Sequence, residues 1–141
     1  MRFMILVKAS PDSEAGVMPG EEVFQAMADY HEELARAGVL LDASGLHPSS
    51  KGWRIRWEDG KKTAVDGPFT ETKELIAGYI LVEVRSEEEA REWARRFPNP
   101  AGADGEIEVR RLIELDDFES NPAIDRFRSL DLPSQEQEVD A

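Results

Sequence analysis

Two histidines are the residues of this sequence best suited to acid–base chemistry, because histidine is the residue type that exchanges a proton near neutral pH. They are His31 and His47. His47 lies in the segment 45–50, whose Gly, Pro and Ser content is typical of a loop, and loops often carry functional side chains. His31 follows Tyr30 on the apolar side of a predicted helix, so a hydrogen-bonded edge histidine is its simpler interpretation. His47 is therefore the better catalytic candidate.

Asp66 is the second catalytic candidate, and its position allows two interpretations. It directly precedes Gly67-Pro68. An aspartate there commonly accepts backbone N–H bonds and fixes a turn. Alternatively, its carboxylate lies at the end of a strand, faces a cleft and takes part in acid–base catalysis. The sequence favours the structural role and leaves the catalytic one open.

Charged residues close behind Asp66 extend this candidate site. Glu71 and Lys73 could anchor a polar or anionic ligand, although charged loop residues are most often simply solvated. The candidate ligand-binding residues are Asp66, His47, Lys73 and Glu71. A small molecule is the expected ligand of a pocket at this place.

Composition excludes several kinds of active site. The chain has no cysteine and only two separated histidines, whereas a metal site needs three or four convergent ligands. No metal and no cofactor are therefore expected. The glycines are scattered and match no phosphate-binding loop, and no serine nucleophile elbow is present.

The formal net charge of −13 excludes one class of partner. A strongly acidic chain repels polyanions, so nucleic-acid binding through phosphate contacts is not expected. The apolar run at residues 3–7 is far too short for a signal peptide or a membrane span. The sequence therefore predicts a cytoplasmic protein with no membrane association.

Hydrophobic periodicity predicts the elements that position these residues. An apolar face with helical spacing runs through residues 23–37, and Gly38 follows it as a left-handed stop. A second helix begins after Ser86, because Ser86 and Glu89 have the spacing of a capping box, and it ends at Pro98. Strands are predicted at 1–8, 39–41, 77–84 and 107–113.

A β-hairpin is predicted between the second and third of these strands. Apolar and basic residues alternate from Trp53 to Trp57, and Asp59-Gly60 supplies a turn. Two indoles on one face of a hairpin need cover. Packing over the core or a contact with a second copy of the chain is the expected cover.

The order of elements is strand, helix, strand, hairpin, strand, helix, strand. With the hairpin set aside, this is the βαββαβ pattern of a ferredoxin-like α+β fold, in which two helices cover one face of an antiparallel sheet. The other face is then left for a partner or a ligand. From Glu114 onward the chain holds nine Asp or Glu against two Arg. We expect an acidic tail at 119–141, with a short docking helix inside 121–130.

The segment Asp66-Gly67-Pro68-Phe69, here called the 66–69 loop, resembles the signature of the DGPF branch of the YCII-related family. Four further blocks agree with that family in the same order, at 33–40, 45–48, 98–100 and 106–110. The resemblance covers residues 1–118. It implies a YCII-related ferredoxin-like domain over 1–118, similar to dimeric α/β-barrel proteins, and a homodimer in which two subunits pack sheet to sheet.

The resemblance implies no particular activity. The YciI-like branch is similar in fold but uses a His–Asp pair, and Met27 and Phe97 occupy the corresponding positions here. Some members of the family occur beside sigma-factor genes or fused to them. An enzymatic role would therefore need other groups than that pair.

Two functions remain open from the sequence. One is a homodimer that binds a small molecule near the 66–69 loop and has weak acid–base activity. The other is a non-enzymatic regulatory or protein-interaction module, linked to sigma-factor-associated transcription control. Convergence of Asp66 and His47 in one concave pocket would favour the first. Separate environments for these two residues would favour the second.

Overall fold

A computed structural model describes residues 1–102 and 104–130 of the chain. The strands are β1 (Arg2–Lys8), β2 (Leu40–Gly45), β3 (Trp53–Glu58), β4 (Lys61–Asp66), β5 (Ile76–Glu83) and β6 (Ile107–Arg111). The helices are α1 (Pro11–Glu14), α2 (Glu21–Arg36), α3 (Glu87–Arg95) and α4 (Pro122–Arg128). Single 3₁₀ turns occur at Ser49–Lys51, Thr72–Glu74 and Leu115–Asp117. The chain divides into two compact units, Met1–Arg111 and Leu112–Ala141.

The first unit is built on a four-stranded antiparallel sheet with the order β2-β5-β1-β6. Among the described residues, β3 and β4 form a separate two-stranded sheet. Without this hairpin, the strand order and connections are those of a ferredoxin-like fold. The predicted α+β fold with an antiparallel sheet and an inserted hairpin is confirmed.

Both long helices cover the same face of the sheet. The core packs two side chains of α2 and two of α3 against β1 and β5. These buried residues are Tyr30, Leu34, Ala90 and Trp93 from the helices and Phe3, Ile5, Ile80 and Val82 from the strands. Because side chains alternate along a strand, the opposite face carries Leu6 and Leu81, which are half-buried.

The predicted helix ends are confirmed, except that one capping hydrogen bond has a different donor. Gly38 has φ +74°, the left-handed conformation expected after α2. The Ser86 hydroxyl accepts the Glu89 N–H at 3.1 Å at the start of α3. The Glu89 carboxylate, however, accepts the N–H of Arg85 at 2.9 Å instead of that of Ser86. The capping residues are therefore correct, and the reciprocal bond falls one residue earlier.

Helix α1 was not predicted, since its segment has the composition of a loop. Ser10 and Ser13 cap each other's backbone, with Ser13 N–H donating to Ser10 Oγ at 3.1 Å and Ser10 N–H donating to Ser13 Oγ at 2.8 Å. Pro11 occupies the first helical position, where its fixed φ is already suitable. This single turn places Glu14 at its carboxyl end.

Tyr30 joins the two long helices. Its hydroxyl donates to the Trp93 carbonyl at 2.7 Å, and its ring meets that of Phe97 edge to face at a centroid distance of 5.0 Å. Burial raises the pKa of the Tyr30 hydroxyl to about 12, while the Arg96 charge opposes the shift. The neutral phenol is therefore part of the native packing.

Replacing Tyr30 by Phe should lower the free energy of unfolding by about 1 kcal/mol at neutral pH, because one buried hydrogen bond is lost. Since the pKa of Tyr30 is raised on folding, its contribution is fully present below pH 10 and is lost as pH rises towards about 12. The difference between the wild type and Tyr30→Phe should therefore shrink above pH 10. Urea unfolding at pH 7, 10 and 11.5 measures it, and a difference that stays constant would contradict this account.

The second unit contains helix α4, whose first turn is capped by Asn121. The Asn121 side chain accepts the Ile124 N–H at 3.0 Å, and Arg128 Nη2 lies 2.7 Å from Asp116 Oδ1. Residues 131–141 of the expected acidic tail lie outside the described residues. No helix within 1–102 and 104–130 is long and apolar enough to cross a membrane.

Candidate functional site

A cleft of about 250 Å³ opens beside the 66–69 loop in the first unit. Five segments meet there: the end of α1, the segment after β2, the start of β3, the 66–69 loop and the entry to β5. Its lining residues are Glu14, Leu46, His47, Ser49, Arg54, Phe69, Glu74, Leu75 and Ile76. We call this place the His47 cleft. It combines apolar side chains with carboxylate, imidazole, hydroxyl and guanidinium groups, and small-molecule sites commonly show such a mixture.

Ser49 is the central hydrogen-bonding residue of the His47 cleft. Its backbone N–H donates to Glu14 Oε1 at 3.0 Å, and its hydroxyl donates to Glu14 Oε2 in a short hydrogen bond. The same hydroxyl oxygen accepts the Phe69 N–H at 3.0 Å. One serine therefore ties α1 to the 66–69 loop and occupies both oxygens of Glu14.

The 66–69 loop lies directly against the backbone around Ser49. Gly67 N–H donates to the Gly52 carbonyl at 3.0 Å. A Cβ at Gly67 would lie 1.8 Å from the Ser49 carbonyl oxygen, far inside any real contact. Only glycine fits at this position.

Arg54 lies over the Phe69 ring, with its guanidinium carbon 3.7 Å from the ring centroid. This cation–π contact uses one face of the guanidinium and none of its N–H donors. Within residues 1–102 and 104–130, no carboxylate pairs with Arg54. Its donors are therefore available at the rim of the cleft, and they have the geometry that a carboxylate accepts best.

His47 also lies at the rim, and its side chain is exposed. The segment that carries it is fixed by the Leu46 N–H, which donates to the Ala77 carbonyl at 2.8 Å. The imidazole lines the same cleft as the Arg54 guanidinium and the apolar side chains of Leu75 and Ile76. A guanidinium can in general bind a carboxylate, and an imidazole can transfer a proton.

The other sequence candidates lie elsewhere. Asp66 ends β4 with an exposed side chain, opposite Trp53, and is not among the residues that line the cleft. Glu71 and Lys73 are exposed and also do not line it, whereas their neighbour Glu74 does. Of the four candidates, the structure brings only His47 into the cleft. His31 lies 2.6 Å from the Met27 carbonyl through Nδ1, as expected of a hydrogen-bonded edge histidine.

Sequence reasoning missed Glu14, Ser49, Arg54 and Glu74. The alternation around Arg54 shows which side of the hairpin it occupies, but not that this side faces a cleft. Glu14 and Ser49 are 35 residues apart and form no motif. Only the folded structure brings them together.

A second cleft of about 290 Å³ lies where α3 ends. Five of its eight lining residues have apolar side chains, and Glu106 is its ionisable residue. It includes Phe97, whose ring packs against Tyr30. This second cleft therefore has fewer groups that could bind or protonate a ligand than the His47 cleft.

An antiparallel sheet under two helices, with an inserted hairpin and a cleft at its base, defines an α+β protein of ferredoxin-like fold. The chain belongs to the YCII-related family, whose sequence model matches residues 1–116 as a YCII-related domain. An uncharacterised protein from Rhizobium meliloti (strain 1021) is 33% identical over 92 residues, which cover 65% of this chain and 74% of that protein.

One solved structure that the chain resembles is 5-chloro-2-hydroxyhydroquinone dehydrochlorinase from Burkholderia phenoliruptrix AC1100, in complex with 2,5-dihydroxybenzoquinone. The TM-score is 0.46 and the sequence identity 16%, over 81% of this chain and 95% of that one.

Proposed function

We propose that this protein binds a small organic anion in the His47 cleft and has a weak general acid–base activity there. The observation that carries the proposal is that His47, Arg54 and the apolar residues Leu75 and Ile76 line one concave place beside the 66–69 loop. A volume of about 250 Å³ suits a small metabolite rather than a polymer.

The chemistry of the lining defines the roles. Arg54 donates two N–H groups to the carboxylate of the ligand, since its guanidinium stacks on Phe69 and forms no ion pair in the described part of the chain, although Glu14 and Glu74 line the same cleft. Leu75 and Ile76 contact the apolar body of the ligand. His47 takes or gives a proton, whereas Glu14 accepts the donors of Ser49 and serves as a support.

Family branch, partner and location belong to the same proposal. The 66–69 loop and the four further blocks support the DGPF branch. A homodimer is supported by the exposed aromatic residues of the hairpin, Trp53 and Trp57. We also propose that the protein acts in the cytoplasm.

A thermal-shift screen with small carboxylic acids tests the binding. A ligand at a hundred times its Kd should stabilise the fold by about 2.7 kcal/mol and raise the Tm by several degrees. Arg54→Gln should weaken the ligand found in this way at least about tenfold, because a hydrogen bond to a charged group is lost.

The matched control is Arg56→Gln, which removes the same kind of charge from the same face of the same strand but does not touch the cleft. Its affinity should equal that of the wild type. If both variants lost the same amount of ligand affinity, the loss would come from the changed net charge and not from a contact with Arg54. His47→Gln separates the two parts of the proposal, since it should abolish turnover and leave binding within a few-fold.

The second candidate function is a non-enzymatic regulatory or protein-interaction module, acting in sigma-factor-associated transcription control. Asp66 and His47 lie in separate environments, and the hairpin exposes an apolar surface, which are the two observations in its favour. A complete absence of ligands in the screen, together with a stable complex with another protein through the hairpin, would establish this function and refute the first.

A further inference from the structure

Ser49 binds a carboxylate in the structure, and that carboxylate is the side chain of Glu14. The Ser49 N–H donates to one carboxylate oxygen at 3.0 Å, and the Ser49 hydroxyl donates to the other. Hydrogen bonds to a charged acceptor are stronger than those between neutral groups. Both residues line the His47 cleft. The cleft therefore contains a position whose donors fit a carboxylate.

Helix α1, which carries Glu14, has few other attachments to the first unit. It is four residues long, and none of its residues is buried. Within the described residues, the other hydrogen bonds of the segment 10–17 stay inside that segment. A helix of one turn is not stable in water by itself, so the contact with Ser49 keeps α1 in place. Loss of this contact would release α1.

The Arg54 guanidinium is a second position for a carboxylate in the same cleft. It forms no ion pair in the described part of the chain, although Glu14 lines the cleft with it. Phe69 connects the two positions, since its N–H donates to Ser49 Oγ at 3.0 Å and its ring stacks on Arg54. The two carboxylate positions therefore lie at the two ends of one residue, and a short ligand could bridge them.

We propose that the ligand of the His47 cleft is a small dicarboxylate. One of its carboxylates pairs with Arg54, and the other displaces Glu14 from Ser49, which releases α1. The inference rests on the small organic anion proposed above, and it specifies the class of that anion and its second contact.

The exchange at Ser49 is favoured by entropy. One carboxylate replaces another on the same two donors, so the charge and the hydrogen bonds at Ser49 stay the same. The released Glu14 side chain and α1 regain conformational freedom, which is lost whenever a long side chain is held in one rotamer. A dicarboxylate should therefore bind somewhat more tightly than a monocarboxylate, and much more tightly once Glu14 no longer competes for Ser49.

Isothermal titration calorimetry of the full chain tests this competition. The probes are malonate, succinate and glutarate, each compared with the monocarboxylate of the same carbon number: propionate, butyrate and valerate. In the wild type, the best dicarboxylate should bind a few-fold more tightly than its monocarboxylate. Glu14→Ala should raise this ratio about tenfold, because the second carboxylate then gains charged hydrogen bonds without displacing another acceptor.

Glu74→Ala is the matched control. It removes the same charge from the same cleft, but the Glu74 side chain makes no hydrogen bond in the described part of the chain. Because an exposed charge interacts weakly with its surroundings, the ratio should change by less than about threefold. If Glu74→Ala and Glu14→Ala raised the ratio equally, the gain would come from charge alone and the inference would be wrong.

Hydrogen exchange of the wild type gives a test that needs no substitution. The backbone amides of the segment 10–17 should exchange faster with the best dicarboxylate than without it, because α1 is released. The matching monocarboxylate should leave their exchange unchanged. Slower exchange of this segment with the dicarboxylate would show that Glu14 stays on Ser49 and would contradict the displacement.

The outcomes separate this inference from the proposed function. If none of the six acids bound to the wild type or to Glu14→Ala at millimolar concentration, both would be wrong. If monocarboxylates and dicarboxylates bound equally well to both proteins, the cleft would bind small anions as proposed, but Ser49 would not be a ligand position. Weaker binding of the dicarboxylate to Glu14→Ala would make Glu14 a fixed part of the cleft and would also overturn only the inference.

Discussion

Gly67→Ala should unfold the base of the hairpin and destabilise the first unit by about 3 kcal/mol or more. The added Cβ would lie 1.8 Å from the Ser49 carbonyl oxygen and 2.7 Å from its carbonyl carbon. Both are backbone atoms, which cannot rotate away as a flexible side chain would. Relief of the clash requires the 66–69 loop to leave the Ser49 segment, and such overpacking is among the most costly substitutions.

Gly52→Ala is the matched control, since Gly52 belongs to the same contact. Its nearest neighbour would be the Ser49 carbonyl oxygen at 3.6 Å, which is an ordinary contact, and its φ of −116° suits any residue. We expect a change within about 0.5 kcal/mol, or slight stabilisation through the unfolded state. Thermal unfolding of the two variants beside the wild type measures the contrast. Equal stability of Gly67→Ala and Gly52→Ala would show that the loop does not lie against Ser49.

The fold was predictable because its determinants are local and periodic. Between residues 23 and 37 the apolar side chains recur at helical spacing, and the two most buried residues of α2, Tyr30 and Leu34, are members of that face. The turn at Asp59-Gly60 has positive φ at both residues, 50° and 75°, as its sequence requires. Such patterns need no knowledge of distant contacts.

The candidate site was only partly predictable because its contacts are tertiary. The anchor of the 66–69 loop was expected at Asp66, whose place before Gly67 suggested local hydrogen bonds. Ser49 holds the loop instead, from 20 residues away in the sequence. Spacing along the chain does not encode such a bond, so a pattern can identify the loop and still assign its support to the wrong residue.

The hairpin shows the same limit from the opposite side. Alternation correctly placed Trp53 and Trp57 on one face, opposite Arg54. The sequence left two possibilities for the surface that covers these indoles, and one of them was packing over the core. The structure does not show that packing, since both indoles remain largely exposed. The sequence could give the face of each side chain but not the surface that covers it.

Ser49→Ala should lower the free energy of unfolding by about 1–3 kcal/mol, since it removes two hydrogen bonds at once. The Phe69 N–H loses its acceptor, and Glu14 loses the hydroxyl donor while it keeps the Ser49 N–H. An unpaired, partly buried donor and a charged acceptor account for this range. Ser50→Ala is the matched control, because Ser50 is exposed and makes no side-chain hydrogen bond in the described part of the chain.

A double-mutant cycle with Glu14→Ala identifies the pair responsible. If the serine hydroxyl acts through Glu14, the two losses should overlap by about 1–2 kcal/mol in the double variant, because the second substitution finds the bond already absent. Strictly additive losses would mean that Ser49 supports only Phe69.

If Ser49→Ala kept the stability of the wild type and abolished turnover of a bound carboxylate, the serine would be a reacting group of the cleft. The hydroxyl already donates to Glu14 and accepts from Phe69, so we expect loss of stability, followed by weaker ligand binding as Phe69 and the Arg54 stacked on it lose their fixed positions.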